Sequence, residues 1–213
     1  SELAASIMLK GLTVAYLIHD SFKVEAGHTV LFHAAAGGVG LIAGQWLNAL
    51  GATVIGTAGG AEKCALAKAN GYHHVIDYTS TDFETEVMRL TDGKGVDVTY
   101  DSVGNDTMAR SLTSTRRHGT IIAFGQSSGA YLDFKISDLA KGSYKLSRPT
   151  LFHFVGERDW LEANSAKLFT AVTDGTVDIS INQKFPLADV AKAHDALTGR
   201  ATTGSTIRTV QPV

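Results

Sequence analysis

The 213-residue sequence is poor in several features that define whole classes of protein. It contains one cysteine, three prolines and 8% aromatic residues, and its formal net charge is only −2. The single cysteine, Cys64, cannot form an internal disulfide, and no second cysteine supplies the C-x-x-C spacing of a structural zinc site. This cysteine usage is typical of a reducing compartment, so we expect a cytoplasmic protein.

The charge and hydropathy patterns exclude two further kinds of partner. The near-balanced charge provides no basic field for a nucleic acid or an anionic membrane surface. No uninterrupted apolar run approaches the roughly 20 residues that cross a bilayer. The sequence therefore predicts a small-molecule partner, with no nucleic acid and no membrane.

An alternation of short apolar runs and helical patterns dominates residues 1–149. After a helix predicted at 3–19, helical patterns at 38–50, 61–70, 82–91 and 105–116 separate strand-like runs. The predicted strands are 29–34, 53–58, 74–78, 96–101, 120–125 and 144–148. This repeat indicates an α/β fold, a Rossmann-type doubly wound six-stranded parallel sheet.

The alternation stops at Pro149. Helices are predicted at 158–173 and 187–198, with a last strand near "STIRTV". We therefore predict a dinucleotide-binding domain over 1–149 and a C-terminal α+β tail over 150–213.

The stretch "HAAAGGVG" at 33–40 lies between the first strand and the next helix. Ala35, Gly37 and Gly40 fit an A-x-G-x-x-G pattern, in which small residues allow a tight turn and close approach of the backbone to a pyrophosphate. Free amides and the helix dipole then favour the phosphates. The candidate phosphate-binding residues are Ala36, Gly37, Gly38, Val39 and Gly40.

The end of the second predicted strand bears on which dinucleotide binds. NAD-preferring sites place a carboxylate there for the ribose 2′-hydroxyl, whereas this strand ends in the neutral "GTAGG". Lys63 is a candidate cation for a 2′-phosphate, and Glu62 is better explained by the helix dipole. The pattern favours NADPH.

The motif G-Q-S-S-G at 125–129 raises a competing hypothesis, because G-x-S-x-G marks the nucleophile of many serine hydrolases. Ser127 would be that nucleophile, with His194 downstream as the base. A nucleophile elbow needs a helix directly after the serine, but "SGAYLDFKIS" has no helical pattern. We therefore favour contact between these serines and the cofactor.

No metal site is expected from the eight histidines. They form no H-x-x-x-H or similar ligand set. His33, inside the first predicted strand, is better explained as a hydrogen-bonded core histidine.

Together, "FHAAAGGVGLIAGQW", "GTAGGAEK", "VIDY", "VTYDSVG" and "RATTGS" resemble the zinc-free NADPH-dependent quinone oxidoreductases of the medium-chain dehydrogenase/reductase superfamily. The resemblance spans essentially the whole chain. It implies hydride transfer from NADPH to a quinone or similar acceptor, with enoyl or alkenal reduction as an alternative. It names no single catalytic residue.

The resemblance also implies roles for residues that are far apart in sequence. Lys63, Tyr78 and Arg200 would surround the 2′-phosphate. The nicotinamide and its ribose would lie beside a second group, comprising Thr13, Ser102, Val103, Phe124, Gly125 and Ser127.

Members of this family carry an N-terminal barrel-like domain, about a hundred residues or more in size, before the segment that matches Ser1. That domain supplies one wall of the substrate cleft, and residues 150–213 would belong to it. We therefore expect a piece of a longer protein, with NADPH binding without turnover as the alternative when that wall is missing. The resemblance further implies a homodimer through the edge strand at 144–148.

Overall fold

A computed structural model of the chain describes residues 1–199 and 201–210. Its main feature is a six-stranded parallel sheet in the order β3-β2-β1-β4-β5-β6. The strands are β1 Thr29–Phe32, β2 Thr53–Ala58, β3 His74–Asp77, β4 Val96–Asp101, β5 Thr115–Ala123 and β6 Lys145–Ser147. This strand order confirms the predicted Rossmann-type doubly wound fold.

Helices cover both faces of the sheet. The helices of the sheet region are α1 Glu2–Ala15, α2 Gly38–Ala49, α3 Ala61–Ala69, α4 Phe83–Leu90 and α5 Met108–Ser114. Strand side chains alternate between the two faces: Val30 and Phe32 belong to the core formed with α1 and α2, whereas Leu31 packs with Phe83 of α4. Because both faces are buried at the centre of the sheet, the central strand β1 is almost continuously apolar.

The first helix continues past α1 through a wider turn at Tyr16–Ser21, where the Phe22 amide donates to the Leu17 carbonyl five residues back. By length and composition, Glu2–Ser21 is apolar enough to cross a membrane, although half of it is buried inside the protein. The helix includes the charged residues Glu2, Lys10 and Asp20, so it does not contradict the expectation that no apolar run approaches that length. A buried core helix passes the same test, so the absence of a membrane partner stays a prediction.

The stretch 115–118 is a strand, which corrects the helix predicted through residue 116. Arg116 lies in β5 and its Nε donates to the Asp97 carboxylate at 2.6 Å. His118 adopts a φ of 61°, and the pairing between β4 and β5 shifts register after Val96. A β-bulge of this kind breaks the simple alternation that a sequence pattern detects.

The C-terminal segment contains α6 Leu151–Val155, α7 Arg158–Thr173, β7 Ile181–Pro186, α8 Val190–Thr198 and β8 Ser205–Thr209. The predicted helices are confirmed, whereas α6 and β7 were not predicted. Strands β7 and β8 form a separate parallel pair. Leu168 of α7 is fully buried against α1, where a Cβ on Gly11 would lie 2.5 Å from it. This segment therefore shares the main core, while the domain boundary near 149 stays a prediction.

Candidate functional site

A cavity of about 610 Å³ lies at the carboxyl ends of the strands. Its wall includes Ala36 after β1, Thr57 at the end of β2, and Val103 after β4. Successive strands are added to one side of β1 as far as β3, and to its other side from β4 onward. Ligands of doubly wound sheets bind where this order reverses, between β1 and β4. The volume is in the range of small-molecule sites.

The glycine-rich loop forms the floor between β1 and α2. Helix α2 begins at Gly38, and Ala36 and Gly37 line the cavity. A Cβ on Gly40 would lie 2.4 Å from the Ala34 carbonyl oxygen, so the first turn of the helix packs directly on the loop. Gly38, Val39 and Gly40 all belong to this turn, which adjoins Ala36 and Gly37 but is not itself among the described residues of the cavity lining. The first amides of a helix have no partner within the helix and suit an anion.

The C-terminal segment is hydrogen-bonded to the same loop. The Gly204 amide donates to the Ala36 carbonyl at 2.9 Å, and Gly204 pairs with Gly37 in a short parallel bridge. Thr198 and Thr202 line the cavity. The sequence did not predict this contact, because about 167 residues separate the partners along the chain.

Lys63 and Tyr78 line one wall, as two of the three predicted 2′-phosphate residues. The Tyr78 ring lies over Gly59, where a Cβ would come within 2.6 Å of the Tyr78 hydroxyl oxygen. The Tyr78 ring therefore occupies the space that a side chain at position 59 would need. The third residue, Arg200, lies outside the described residues.

Two loops that carry predicted nicotinamide residues are tied together above β4 and β5. The fully buried Asp101 carboxylate accepts from the Val103 and Gly104 amides at 2.8 and 3.0 Å. The Ser127 amide donates to the Ser102 carbonyl at 3.1 Å. Val103 and Ser127 line the cavity, so the two loops form one rigid wall.

Other predicted residues flank this wall. Gly125 packs on Ser102, since a Cβ there would lie 2.6 Å from the Ser102 carbonyl oxygen. The Phe124 ring packs against Phe32, with centroids 5.7 Å apart. Thr13 is half-buried on α1 and its hydroxyl donates to the Leu9 carbonyl at 2.7 Å. Among the described residues, the cavity lining does not include these four.

The loop at Ser127 lacks the geometry of a nucleophile elbow. After β5 ends at Ala123, the chain runs without a helix until the short turn Ile136–Lys141. The histidine that lines the cavity is His33, whose two ring nitrogens are already engaged elsewhere. The loop therefore does not support a hydrolase.

His33 is the centre of a buried polar network. Its Nδ1 lies 2.9 Å from the Thr57 hydroxyl and its Nε2 3.0 Å from the Ser111 hydroxyl. Because Ser111 donates to the Asp101 carboxylate at 2.7 Å, it accepts from Nε2–H, and Thr57 then donates to Nδ1. Burial lowers the pKa of His33 more than Asp101 raises it, and Arg110 lowers it further. The imidazole is thus a neutral, hydrogen-bonded core group, as expected.

Sequence reasoning missed one side of the cavity. This side consists of Phe83, Asp106, Thr107 and Arg110. The last three follow β4, and the rule that ligands bind beyond the carboxyl ends of strands would have drawn attention to them. Phe83 follows β3 in the same way, but it lies farther from the end of that strand than Asp106 lies from the end of β4.

No group of three or more His, Cys, Asp or Glu side chains within 1–199 and 201–210 could hold a metal ion. The described residues therefore do not fit a zinc centre.

The sequence profile of the family described as zinc-binding dehydrogenases matches residues 38–166. The chain belongs to this family. The matched range contains α2 and the loops after β4 and β5, and these loops border the cavity.

Individual relatives carry the names of particular enzymes. The chain is 44% identical to a quinone oxidoreductase of Pseudomonas aeruginosa over 97% of its own length and 64% of the relative. It is also 44% identical to a 2-haloacrylate reductase of a Burkholderia species, over 95% and 62% of the two chains. A crystal structure of Escherichia coli quinone oxidoreductase complexed with NADPH superimposes with a TM-score of 0.93 at 43% identity, over 96% and 64%. The chain thus spans somewhat less than two thirds of the length of these relatives.

Proposed function

We propose that this chain binds NADPH at the carboxyl edge of its sheet, as part of an oxidoreductase that transfers a hydride to a quinone or similar electron-poor acceptor. The observation that carries the proposal is the convergence, in one cavity, of the glycine-rich loop with Lys63 and Tyr78. The similar E. coli enzyme was crystallised with NADPH.

The glycine-rich loop fits a dinucleotide in a way that this structure allows to be tested. A Cβ on Gly38 would lie 2.8 Å from the Gly204 carbonyl oxygen, and one on Gly40 still closer to the loop backbone. Only glycine leaves the backbone this close, and the first amides of α2 directly follow Ala36 and Gly37, which line the cavity. Those amides would hold the pyrophosphate.

Selectivity for NADPH would come from the wall that carries Lys63 and Tyr78. The lysine provides positive charge and the tyrosine a hydroxyl donor for a 2′-phosphate. Gly59 and Gly60 carry no side chain that could repel the phosphate. The Asp77 carboxylate, which accepts from the Gly60 amide at 3.0 Å, lines a groove beside β3 and not this cavity. Arg200 would be the third member of this group.

When bound, NADPH supplies the hydride, and the protein orients it. The loops that carry Val103 and Ser127 would position the nicotinamide half, together with Thr13, Ser102, Phe124 and Gly125. Asp101 holds the first loop rigid through its buried carboxylate. We assign no catalytic acid, because a quinone can take its proton from solvent, and the function proposed needs no zinc.

Acceptor identity distinguishes two versions of the proposal. Quinone reduction is favoured by the quinone oxidoreductases among the relatives. Reduction of an activated alkene, as in an enoyl or alkenal reductase, is favoured by the similarity to a 2-haloacrylate reductase. Both need the same contact between the nicotinamide and the acceptor.

The experiment is a fluorescence titration of the purified protein with NADPH and NADH, followed by addition of p-benzoquinone or an acrylate. NADPH-selective binding with quinone-dependent oxidation supports the proposal. Oxidation by the acrylate alone favours the alkene version, and binding without oxidation leaves a cofactor module without turnover. No binding contradicts the proposal.

We also propose a homodimer in which β6 strands pair across a two-fold axis. Strand β6 is at the edge of the sheet, and unpaired edges invite pairing with a second chain. A monomeric mass in light scattering would contradict this assembly. A cytoplasmic location stays a prediction.

A further inference from the structure

The guanidinium of Arg110 forms a flat surface in the wall of the cavity. Its Cζ lies 4.5 Å from the centroid of the Phe83 ring, over the face of the ring. Phe83 is buried, and its ring is held by an edge contact with His33 at 4.9 Å. Arg110 therefore rests on a rigid support, and both residues line the cavity.

Hydrogen bonds at the edges fix the plane of this guanidinium. One terminal nitrogen, Nη1, donates to the Asp82 carboxylate at 2.9 Å, and Nη2 donates to the Asp106 carbonyl at 3.1 Å. Asp82 is itself fixed as the N-cap of α4, where it accepts from the Thr85 amide at 2.9 Å. The charge of Arg110 is thus paired, and 43% of its side chain remains exposed.

A guanidinium with one face on an aromatic ring can stack its other face on a second flat ring. We propose that Arg110 recognises the adenine of the bound dinucleotide by stacking on the base. This inference rests on the proposed function. Arg110 is on α5, after β4, but it rests on Phe83 and bonds to Asp82, and both of these follow β3. Adenine is favoured over nicotinamide because that is the side of the sheet that carries Lys63 and Tyr78. The nicotinamide-side loops follow β4 and β5.

A phosphate contact explains the geometry less well. An arginine that binds phosphate offers its edge, often with two parallel hydrogen bonds. Here two edge nitrogens already bind Asp82 and Asp106, and the Asp82 carboxylate would repel a phosphate. The face of the group is the part presented to a ligand.

The test compares Arg110→Lys and Arg110→Gln with Arg89→Gln as the matched control. Arg89 is on the neighbouring helix α4, pairs with Glu86, and does not line this cavity. Affinities are measured by fluorescence for NADPH, NADH and reduced nicotinamide mononucleotide, which lacks adenosine. We expect both Arg110 variants to lose affinity for NADPH and NADH by a similar factor of about 5 to 30. Affinity for the mononucleotide should not change, and Arg89→Gln should leave all three affinities unchanged.

Each other outcome overturns the inference in a recognisable way. A loss for NADPH alone would indicate a contact with the 2′-phosphate. Full affinity in Arg110→Lys would show that charge suffices without the plane. An equal loss for the mononucleotide would indicate general damage to the site. If the unchanged protein binds neither dinucleotide, the proposed function fails first, and the role of Arg110 fails with it.

Discussion

Two concavities of nearly equal volume lie at different edges of the same sheet. The cavity at the carboxyl ends of the strands encloses about 610 Å³, and a groove along the outer edge of β3 encloses about 570 Å³. Residues from His33 to Thr202 line the first, whereas the second is lined by a single stretch between Cys64 and Leu90. Volume alone therefore does not identify a site.

The two concavities also differ in how their polar groups are arranged. In the groove, Lys68 donates to the His73 carbonyl, and Arg89 is paired with Glu86. The first contact joins α3 to the residue before β3 and the second lies within α4, so both are local. The carboxyl-edge cavity instead combines the glycine-rich loop, a fixed guanidinium and a lysine from separate parts of the chain. Convergence of this kind is what a ligand requires.

The largest expected effect is that of Gly40→Ala in the carboxyl-edge cavity. The new Cβ would meet the carbonyl oxygens of Ala34 and Ala35 at 2.4 and 2.5 Å, and neither backbone group can easily move. We expect a loss of about 3 kcal/mol in the free energy of unfolding, together with loss of NADPH binding. Urea unfolding and fluorescence titration measure the two effects.

Gly93→Ala is the control for Gly40→Ala. Gly93 has a φ of 74°, and none of the described residues comes within 4 Å of the position that a Cβ would take, so strain acts there without a collision. Its cost should be about 1 kcal/mol, with NADPH affinity retained. Equal costs for the two variants would contradict the tight packing at Gly40.

Lys63 and Lys68 allow the two concavities to be compared within one helix. Both belong to α3, but Lys63 lines the carboxyl-edge cavity and Lys68 the groove. We expect Lys63→Ala to lower NADPH affinity about 10- to 100-fold, since a hydrogen bond to a charged group is worth about 1.5–3 kcal/mol. NADH affinity should hardly change. Lys68→Ala should alter neither the NADPH nor the NADH affinity. If it lowered NADPH affinity as much as Lys63→Ala, the nucleotide would bind in the groove along β3 and the proposed site would be contradicted.

A smaller effect is expected from the pH dependence of stability. Because burial lowers the pKa of His33, only the unfolded chain takes up this proton as the pH falls below about 6.5. The free energy of unfolding should therefore decrease, by up to about 1.4 kcal/mol per pH unit for one proton. The stabilisation is present above that pH and is lost below it. His33→Asn should flatten this slope in urea unfolding between pH 7 and about 5.

His74→Asn is the matched change in the groove. Burial also lowers the pKa of His74, with smaller contributions from neighbours such as Lys68, but this side chain is exposed. Its removal should alter the slope less than removal of His33. The opposite order would show that His33 takes up its proton in the folded protein.

Local patterns in the sequence predicted much of the fold. Short apolar runs and the helices between them gave all six strands, and the small residues at 35, 37 and 40 located the turn before α2. The irregular parts had no such signal. The bulge at His118 and the unpredicted β7 depend on pairing with distant strands, which periodicity does not record.

The site was only partly predictable for the same reason. Lys63 follows directly from the end of β2, whereas the roles given to Tyr78 and Arg200 needed a family resemblance. The link from Thr57 through His33 to Ser111 and Asp101 joins two strands, a helix and the residue that follows β1. The spacing of those residues in the sequence does not predict this network.

The most direct test of the central claim is to map NADPH binding by the amide chemical shifts of the protein. We predict the largest shifts at Gly37–Gly40, Thr57 and Val103, at the carboxyl ends of β1, β2 and β4. The amides of Lys68, His73 and His74 in the groove should stay within the noise. Shifts concentrated along the β3 edge, with none in the glycine-rich loop, would contradict the account.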